Sequence, residues 1–383
     1  MTTEAPALLC LVLACAGCLY LVWAAVVAAG FTREPAPESP VSPPMTLLKP
    51  LKGDEPALLR NLASFCAQDY PAPIQIVFGV QAATDDAIPV VRRLEADYPD
   101  RDMRLVVEPA AHGANLKISN LINMTPAASH ACLVLSDSDI AAPPDTLVRV
   151  AAALAEPGVG GVTCLYHGVA AAGFWSQLSA LAIDGHFLPN VLVGLRSGLA
   201  TPCFGSTIAL RRSDLAAIGG FAAFADVLAD DYAIGAALRA KNLRIAIPRF
   251  LVGHSCAEAS LVDLWRHELR WARTIRAVDP KGHAGSAVTH PLAFAVLASA
   301  AGAPMAGLIL AILAITCRIV LLHVLARSHG LASPRYWLVP VRDVLSFAVF
   351  AWSFCGRDLT WRGRRYRVGA NGVLAADRRT ETA

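Results

Sequence analysis

Ten residues, Ala131 to Ile140, constrain this chain more than any others: Ala-Cys-Leu-Val-Leu-Ser-Asp-Ser-Asp-Ile. An apolar run of strand formers that stops at two carboxylates spaced i, i+2 describes a buried parallel strand delivering side chains to the open edge of an α/β sheet. Ligands bind at that edge. On an extended segment Asp137 and Asp139 point to the same side. Both can face one divalent cation, and hard oxygen donors of this kind suit magnesium or manganese. An ion held there could carry a nucleotide diphosphate. The competing reading is that Asp-Ser-Asp only caps a helix or forms a turn, and the segments around it argue for the first.

Before this strand the pattern is β-α-β-α-β. Met45 to Lys49 reads as a strand, Glu55 to Gln68 as a helix with Leu58, Leu59, Leu62 and Phe65 on its apolar face, and Ile74 to Gln81 as a second strand. Ile88 to Tyr98 is helical in pattern and Arg104 to Val107 is a third strand. The order predicts a nucleotide-binding doubly wound sheet with strand ends at Lys49, Gln81 and Ser136 on one edge. There is no Gly-x-Gly-x-x-Gly and no Gly-Lys-Ser/Thr loop, so neither a dinucleotide nor a P-loop phosphate site is supported. Asp85 and Asp86 follow the second strand; one could hold the base or ribose of a nucleotide, and either could cap the next helix. Lys117 precedes the Asp-Ser-Asp strand and could offer a cation to a phosphate or to an acidic loop, or could be a solvated surface residue.

After it, helices are expected over Pro144 to Leu154 and through Trp175 to His186, with a strand around Gly161 to Tyr166. In Thr201-Pro-Cys-Phe-Gly-Ser-Thr-Ile-Ala-Leu210, Gly205 permits close backbone approach ahead of an apolar strand. Asp230 and Asp231 open an amphipathic helix. One can serve as an N-terminal cap, and the other, if it shares a site with Asp137, is a candidate general base. Arg266, Arg270 and Arg273 fall on one face of a helical stretch that also carries Trp265 and Trp271, which suits either a functional face or an interfacial anchor.

Composition places part of this chain in lipid. Of 383 residues, 55% are hydrophobic and 16% charged, too apolar for an ordinary soluble domain. Ala7 to Phe31 is uncharged and longer than the ~20 residues that cross a bilayer. It is too long for a signal-peptide core and has no basic flank. Apolar stretches recur from Pro291 to Ala326 and from Trp337 to Cys355. Arg357, Arg362, Arg364, Arg365, Arg367, Arg378 and Arg379 make the tail basic, which favours a cytoplasmic tail. The expected organisation is a transmembrane helix over 1–31, a linker over 32–44 and a catalytic domain over 45–290. A membrane region over 291–356 follows, a re-entrant or interfacial piece plus two spans, and then the basic tail over 357–383. The net charge of +3 sits near the membrane ends and suits anionic headgroups rather than nucleic acid. The ten cysteines form no disulfide framework and fit a reducing compartment.

Taken together, Leu48-Lys-Pro-Leu-Lys-Gly53, Gly79-Val-Gln-Ala-Ala-Thr-Asp-Asp86, Asn115-Leu-Lys-Ile-Ser-Asn120, Ser136-Asp-Ser-Asp139, Asp230-Asp-Tyr232 and Arg270-Trp271 resemble family 2 glycosyltransferases. More closely they resemble family 21, which contains ceramide glucosyltransferase and the hopanoid-associated glycosyltransferases. The resemblance implies an α/β, GT-A-like doubly wound mixed sheet with N- and C-terminal transmembrane helices, in a bacterial-type inner membrane with the catalytic domain facing the cytoplasm. It implies Asp85 near the uridine, Asp137 and Asp139 as ligands of a divalent metal and the diphosphate, Asp231 as base, and Arg270 with Trp271 near the diphosphate and acceptor. His267 stands where the family's last motif opens with Gln or Arg, a departure from its pattern. Asp139 is often Gly in the ceramide enzymes, which points away from them. The implied activity is a single inverting displacement from a UDP-sugar, N-acetylglucosamine being expected, onto a lipid hydroxyl, with bacteriohopanetetrol as the expected acceptor. Glucosylation of ceramide is the alternative. A non-catalytic lipid-binding protein is a reading from another class.

Overall fold

β-Branched and leucine-rich segments of the middle region build one mixed sheet, and its register sets the site. In the computed structural model, which describes residues 4–35, 42–356, 358–361, 364–368 and 374–376, Met45–Pro50 (β1), Ile74–Val80 (β2), Asp102–Val107 (β3) and Cys132–Ser136 (β4) pair in parallel in the order β3-β2-β1-β4. Every residue of β1, β2 and β4 is buried, as expected of parallel strands covered on both faces. Parallel pairing brings the C-terminal ends of all four to one edge.

Six further strands complete this sheet and build a second one, Ile140–Ala141 (β5), Val159–Thr163 (β6), Leu165–Ala170 (β7), Thr207–Arg211 (β8), Arg244–Ala246 (β9) and Leu251–Cys256 (β10), and Asp358–Trp361, Arg364–Val368 and Leu374–Ala376 form a small separate sheet. The seven-stranded sheet continues from β4 through β8 and β6 to β9, and β8 runs antiparallel to both its neighbours. A second sheet has the order β5-β10-β7. The single strand expected over Gly161 to Tyr166 is therefore two strands in two sheets, parted at Cys164. Its apolar run is continuous, so sequence pattern alone carries no mark of the break.

Leu48, Val77, Leu133, Leu135, Ile208 and Leu210 of the large sheet pack with Ile118 and Leu121 of the Leu116–Met124 helix and with Ile234 and Leu238 of the Asp230–Ala240 helix. One apolar core thus fixes the helices that carry Lys117 and Asp231.

The chain divides into two compact units. One comprises Glu34–Ala172, Thr201–Ala257 and Tyr366–Ala383 and holds the sheets built from β1 to β10; the other comprises Met1–Arg33, Gly173–Ala200 and Glu258–Arg365. The second is mainly helical. Among the described residues three of its helices are long and apolar enough to cross a membrane: Ala5–Gly30, Phe174–Arg196 and Pro304–His329. Phe174–Arg196 runs beyond His186, where the sequence reading ends it, through a π-helical turn at Ile183–Phe187. Pro291–Ala300 is a short helix of 10 residues. Val339–Ser353 has 15 residues, about 22 Å of helix, and buries Arg342 and Asp343. Arg318 reaches Asp343 at 3.2 Å and donates to Thr289 O at 2.6 Å and to Gly185 O, while Arg342 forks onto Glu268 at 2.6 and 2.8 Å. Buried charges in apolar helices need such partners. Arg357, Arg362, Arg378 and Arg379 of the basic tail lie outside the described residues.

Candidate active site

The edge where β4 ends is held by its backbone. Just past Ser136, three successive carbonyls each accept a hydrogen bond: Asp137 O from Lys49 Nζ at 3.0 Å, Ser138 O from Asn61 Nδ2 at 3.3 Å, and Asp139 O from the Ser255 N–H at 2.7 Å. With the carbonyls engaged from behind, the two carboxylates project from a pinned turn. The turn reading and the ligand reading of Asp-Ser-Asp are thus compatible, since the turn exists and presents the acids.

Asp137 pairs with Lys117 at 2.7 Å, and the same ammonium lies 3.4 Å from Asp230. Burial works against the charge on Lys117, but Asp137 and Asp230 outweigh it and raise its pKa. Lys117 is therefore the counter-ion of an acidic site rather than a solvated residue. Its place follows from Asn115, whose side chain caps the helix by accepting from the Lys117 and Ile118 N–H groups while donating to Val227 O at 2.7 Å.

Asp231 Oδ2 accepts from the Gly205 N–H and Oδ1 from the Tyr232 N–H, each at 2.8 Å. Burial and then the neighbouring Asp230 raise its pKa to about 6, which makes it a stronger base than an ordinary carboxylate. Asp230 is buried and accepts from Asn115 Nδ2 at 3.3 Å. Neither acid therefore acts as a conventional cap of the helix they open; Ala229 holds that position. Gly205 joins these groups. A methyl on its Cα would stand 3.1 Å from Lys117 Nζ, 3.2 Å from Asp137 Oδ2 and 3.4 Å from Asp231 Oδ2. Three residues from distant parts of the chain thus meet over one bare Cα.

Asp139 Oδ2 lies 3.3 Å from His254 Nε2, and Oδ1 is buried with no hydrogen-bond partner among the described residues. The Tyr166 and His254 rings pack at a tilt of 31° with centroids 5.4 Å apart. Burial, then Asp231, Asp139 and Asp137, hold the Tyr166 phenol well above its usual pKa. Asp85 Oδ1 accepts from the Gly53 and Ala87 N–H groups at 2.8 and 3.0 Å, tying the loop after β1 to the Ala87–Asp97 helix. Of the adjacent aspartates, Asp85 does the local capping and Asp86 makes no cap hydrogen bond.

Arg270 and Trp271 lie on the Leu261–Val278 helix of the helical unit. There His267 Nδ1 contacts Glu258 Oε1 at 2.5 Å and its ring packs on Trp271 at 4.4 Å. Burial would raise the Glu258 pKa, but its bond to His267 prevails and lowers it. Arg273 and Arg276 donate to Cys355 O and Gly356 O, both at 2.6 Å.

The donor set can be tested against a divalent ion. Among the described residues no three His, Cys, Asp or Glu side chains gather as a metal site, so the protein's contribution would be Asp137 and Asp139. The orphaned Asp139 Oδ1 and the excess of acids over Lys117 fit an ion completed by phosphate oxygens and water. Lys49, visible from sequence only as a strand end, and His254 join the site in the fold; a lysine in a largely apolar parallel strand is the available signal for Lys49, and His254 has none.

The fold is that of the GT-A-like glycosyltransferases. It aligns with the mannosyltransferase PcManGT from Pyrobaculum calidifontis, solved in complex with GDP-Man and Mn2+, at a TM-score of 0.56 and 22% identity, over 92% of this chain and 99% of that one. The chain belongs to glycosyl transferase family 21, whose model matches residues 8–374. It is 25% identical over 242 residues to ceramide glucosyltransferase 1 of Caenorhabditis elegans, covering 63% of this chain and 52% of the relative. It is 35% identical over 107 residues to a ceramide glucosyltransferase of Gibberella zeae, covering 24% and 20%. The chain spans about half the length of the C. elegans relative.

Proposed function

We propose that this chain is a membrane-bound inverting glycosyltransferase that moves a sugar from a UDP-sugar to a lipid hydroxyl. The observation that carries the reading is the meeting of Lys117, Asp137 and Asp231 over the Cα of Gly205. A cation, an ion ligand and a raised-pKa base are the three charges that such a displacement uses.

Asp231, oriented by two backbone N–H groups, takes the proton of the attacking hydroxyl. Lys117 offers positive charge to the diphosphate that leaves. Asp137 and Asp139 would hold a divalent ion, Mg2+ or Mn2+, which supplies further positive charge to the same leaving group. Asp85 is proposed at the nucleoside end, and Arg270 with Trp271 at the diphosphate and acceptor. The long apolar helices support a membrane setting, and the basic residues after Gly356 support a cytoplasmic catalytic face; a bacterial-type inner membrane belongs to the same proposal. An N-terminal span, a catalytic region over 45–290, of which 173–200 and 258–290 fall in the helical unit, and a membrane region over 291–356 belong to the same reading.

For the acceptor, ceramide with UDP-glucose is supported by the relatives, which are ceramide glucosyltransferases. A polyol-tailed hopanoid with UDP-N-acetylglucosamine is the second reading, supported by the second carboxylate, Asp139. The test crosses both donors with vesicles carrying either lipid and identifies products by mass spectrometry, with Asp231→Asn as the control. A glycosylated lipid made only by the native chain is expected. Equal product from both proteins, or none from any pair, defeats the proposal.

A further inference from the structure

Lys49 is fully buried near the end of β1, and among the described residues neither of its hydrogen-bond acceptors is a carboxylate. Its ammonium donates to Ser136 Oγ at 2.9 Å and to Asp137 O at 3.0 Å, and sits 3.4 Å from the centre of the Phe65 ring. Two hydrogen bonds and a π face occupy the three donors of an ammonium. Burying that charge is costly, and burial lowers its pKa to about 7 even with Asp137 and Asp139 opposing. A methionine or leucine would fill the volume without the cost, so packing alone gives no reason for a lysine here.

The hydrogen bonds continue. Ser136 Oγ donates to Ser206 O at 2.8 Å, and Ser206 Oγ donates to Cys164 O at 2.9 Å. Ser206 follows Gly205, whose N–H holds Asp231 at 2.8 Å. One buried ammonium therefore anchors both the backbone of Asp137 directly and, through Ser136, the loop that aims Asp231.

We infer that Lys49 is a positioning residue for sugar transfer, setting Asp137 and Asp231 in register with each other through Ser136 and the Gly205–Ser206 backbone. The inference rests on the transfer reading above. Lys49→Met keeps the stem against Phe65 and removes the donors. Ser136→Ala removes both the acceptor of one Lys49 hydrogen bond and the donor to Ser206 O while leaving the Lys49 bond to Asp137 O, and Ser136→Thr restores a hydroxyl there.

The experiment measures UDP release from UDP-glucose and UDP-N-acetylglucosamine with ceramide or hopanoid-polyol vesicles, alongside thermal unfolding. Lys49→Met and Ser136→Ala should each lower kcat at least about tenfold while the donor KM stays within about threefold, because orientation rather than binding is lost. Ser136→Thr should recover kcat to within about threefold of the native chain. Should Lys49→Met fail to fold, the two Ser136 variants carry the test. If Asp231→Asn is inactive while Lys49→Met, or Ser136→Ala, keeps native kcat, the inference falls and the transfer reading stands. If Asp231→Asn is as active as the native chain, the transfer reading falls and this inference with it.

Discussion

Transfer should fail on acidification near pH 6, not near pH 4. Burial first, and then the Asp230 carboxylate, raise the Asp231 pKa from 3.8 to about 6. Only the ionised form can take the acceptor proton, so kcat/KM should climb about tenfold per pH unit below that value and level off above it. At pH 5 roughly nine-tenths of Asp231 is protonated, against less than about a tenth of a carboxylate at its ordinary value. Activity at pH 5 should therefore be about a tenth of the plateau. Asp230→Asn deletes the like charge and should move the limb to lower pH. Stability has the opposite sense. An acid whose folded pKa lies above its unfolded one weakens the fold as pH rises from about 4 to about 6, by on the order of 2 to 3 kcal/mol. Asp231→Asn removes that dependence and, leaving only one side-chain acceptor for the Gly205 and Tyr232 N–H groups, loses one of the two backbone hydrogen bonds. It should cost about 10²- to 10⁴-fold in kcat without lowering the melting temperature at neutral pH. UDP release measured from about pH 4.5 to 8, with thermal unfolding over the same range, decides it. A limb centred near pH 4, a midpoint indifferent to Asp230→Asn, or Asp231→Asn retaining more than about a tenth of the activity would refute the reasoning.

Gly205→Ala places a methyl 3.1 to 3.4 Å from Lys117, Asp137 and Asp231. Its neighbours are side-chain tips, so kcat should drop about tenfold or more while melting changes little; unchanged kcat means nothing reacts over that Cα. Chelation should abolish turnover and Mg2+ or Mn2+ should restore it, whereas Asp137→Ala should remain inactive at any ion concentration; full activity in chelator removes the ion from the scheme. In the helical unit, Arg342→Met leaves Glu268 buried without its fork and should destabilise by about 3 to 5 kcal/mol in detergent unfolding. Adding Glu268→Leu should recover much of that loss, and no recovery would show that the loss does not come from stranding the Glu268 carboxylate.

Much of this molecule is written locally. The Ala131–Ile140 run, the alternation that yields β1 to β4, and the apolar stretches behind Ala5–Gly30 and Pro304–His329 are patterns of composition and period within short windows, and such patterns survive folding unchanged. Phe174–Arg196 was only half legible, because Asp184, His186 and Asn190 interrupt its hydrophobic run. In the fold Tyr20 bonds Asn190, and His186 bonds Asp343. The break at Cys164 was invisible, since strand pairing and not residue type divides β6 from β7.

The site divides the same way. Asp137 and Asp139 could be nominated from sequence because two acids at i, i+2 end an apolar run, whereas acids are common at helix N-termini and only the family resemblance singled out Asp231 over Asp230. Whether Asp85 or Asp86 caps, that Asp230 neutralises Lys117, that Asp139 faces His254, and that Lys49 underpins the Asp-Ser-Asp turn were all decided by contacts between residues far apart in the chain. Those contacts exist only after β1 pairs with β4 and β4 with β8. Sequence alone determines which segments seek an apolar surface and which side chains carry charge. Only sheet register and helix packing determine which charges meet, because electrostatic partnership depends on distances of a few ångströms that no local pattern encodes.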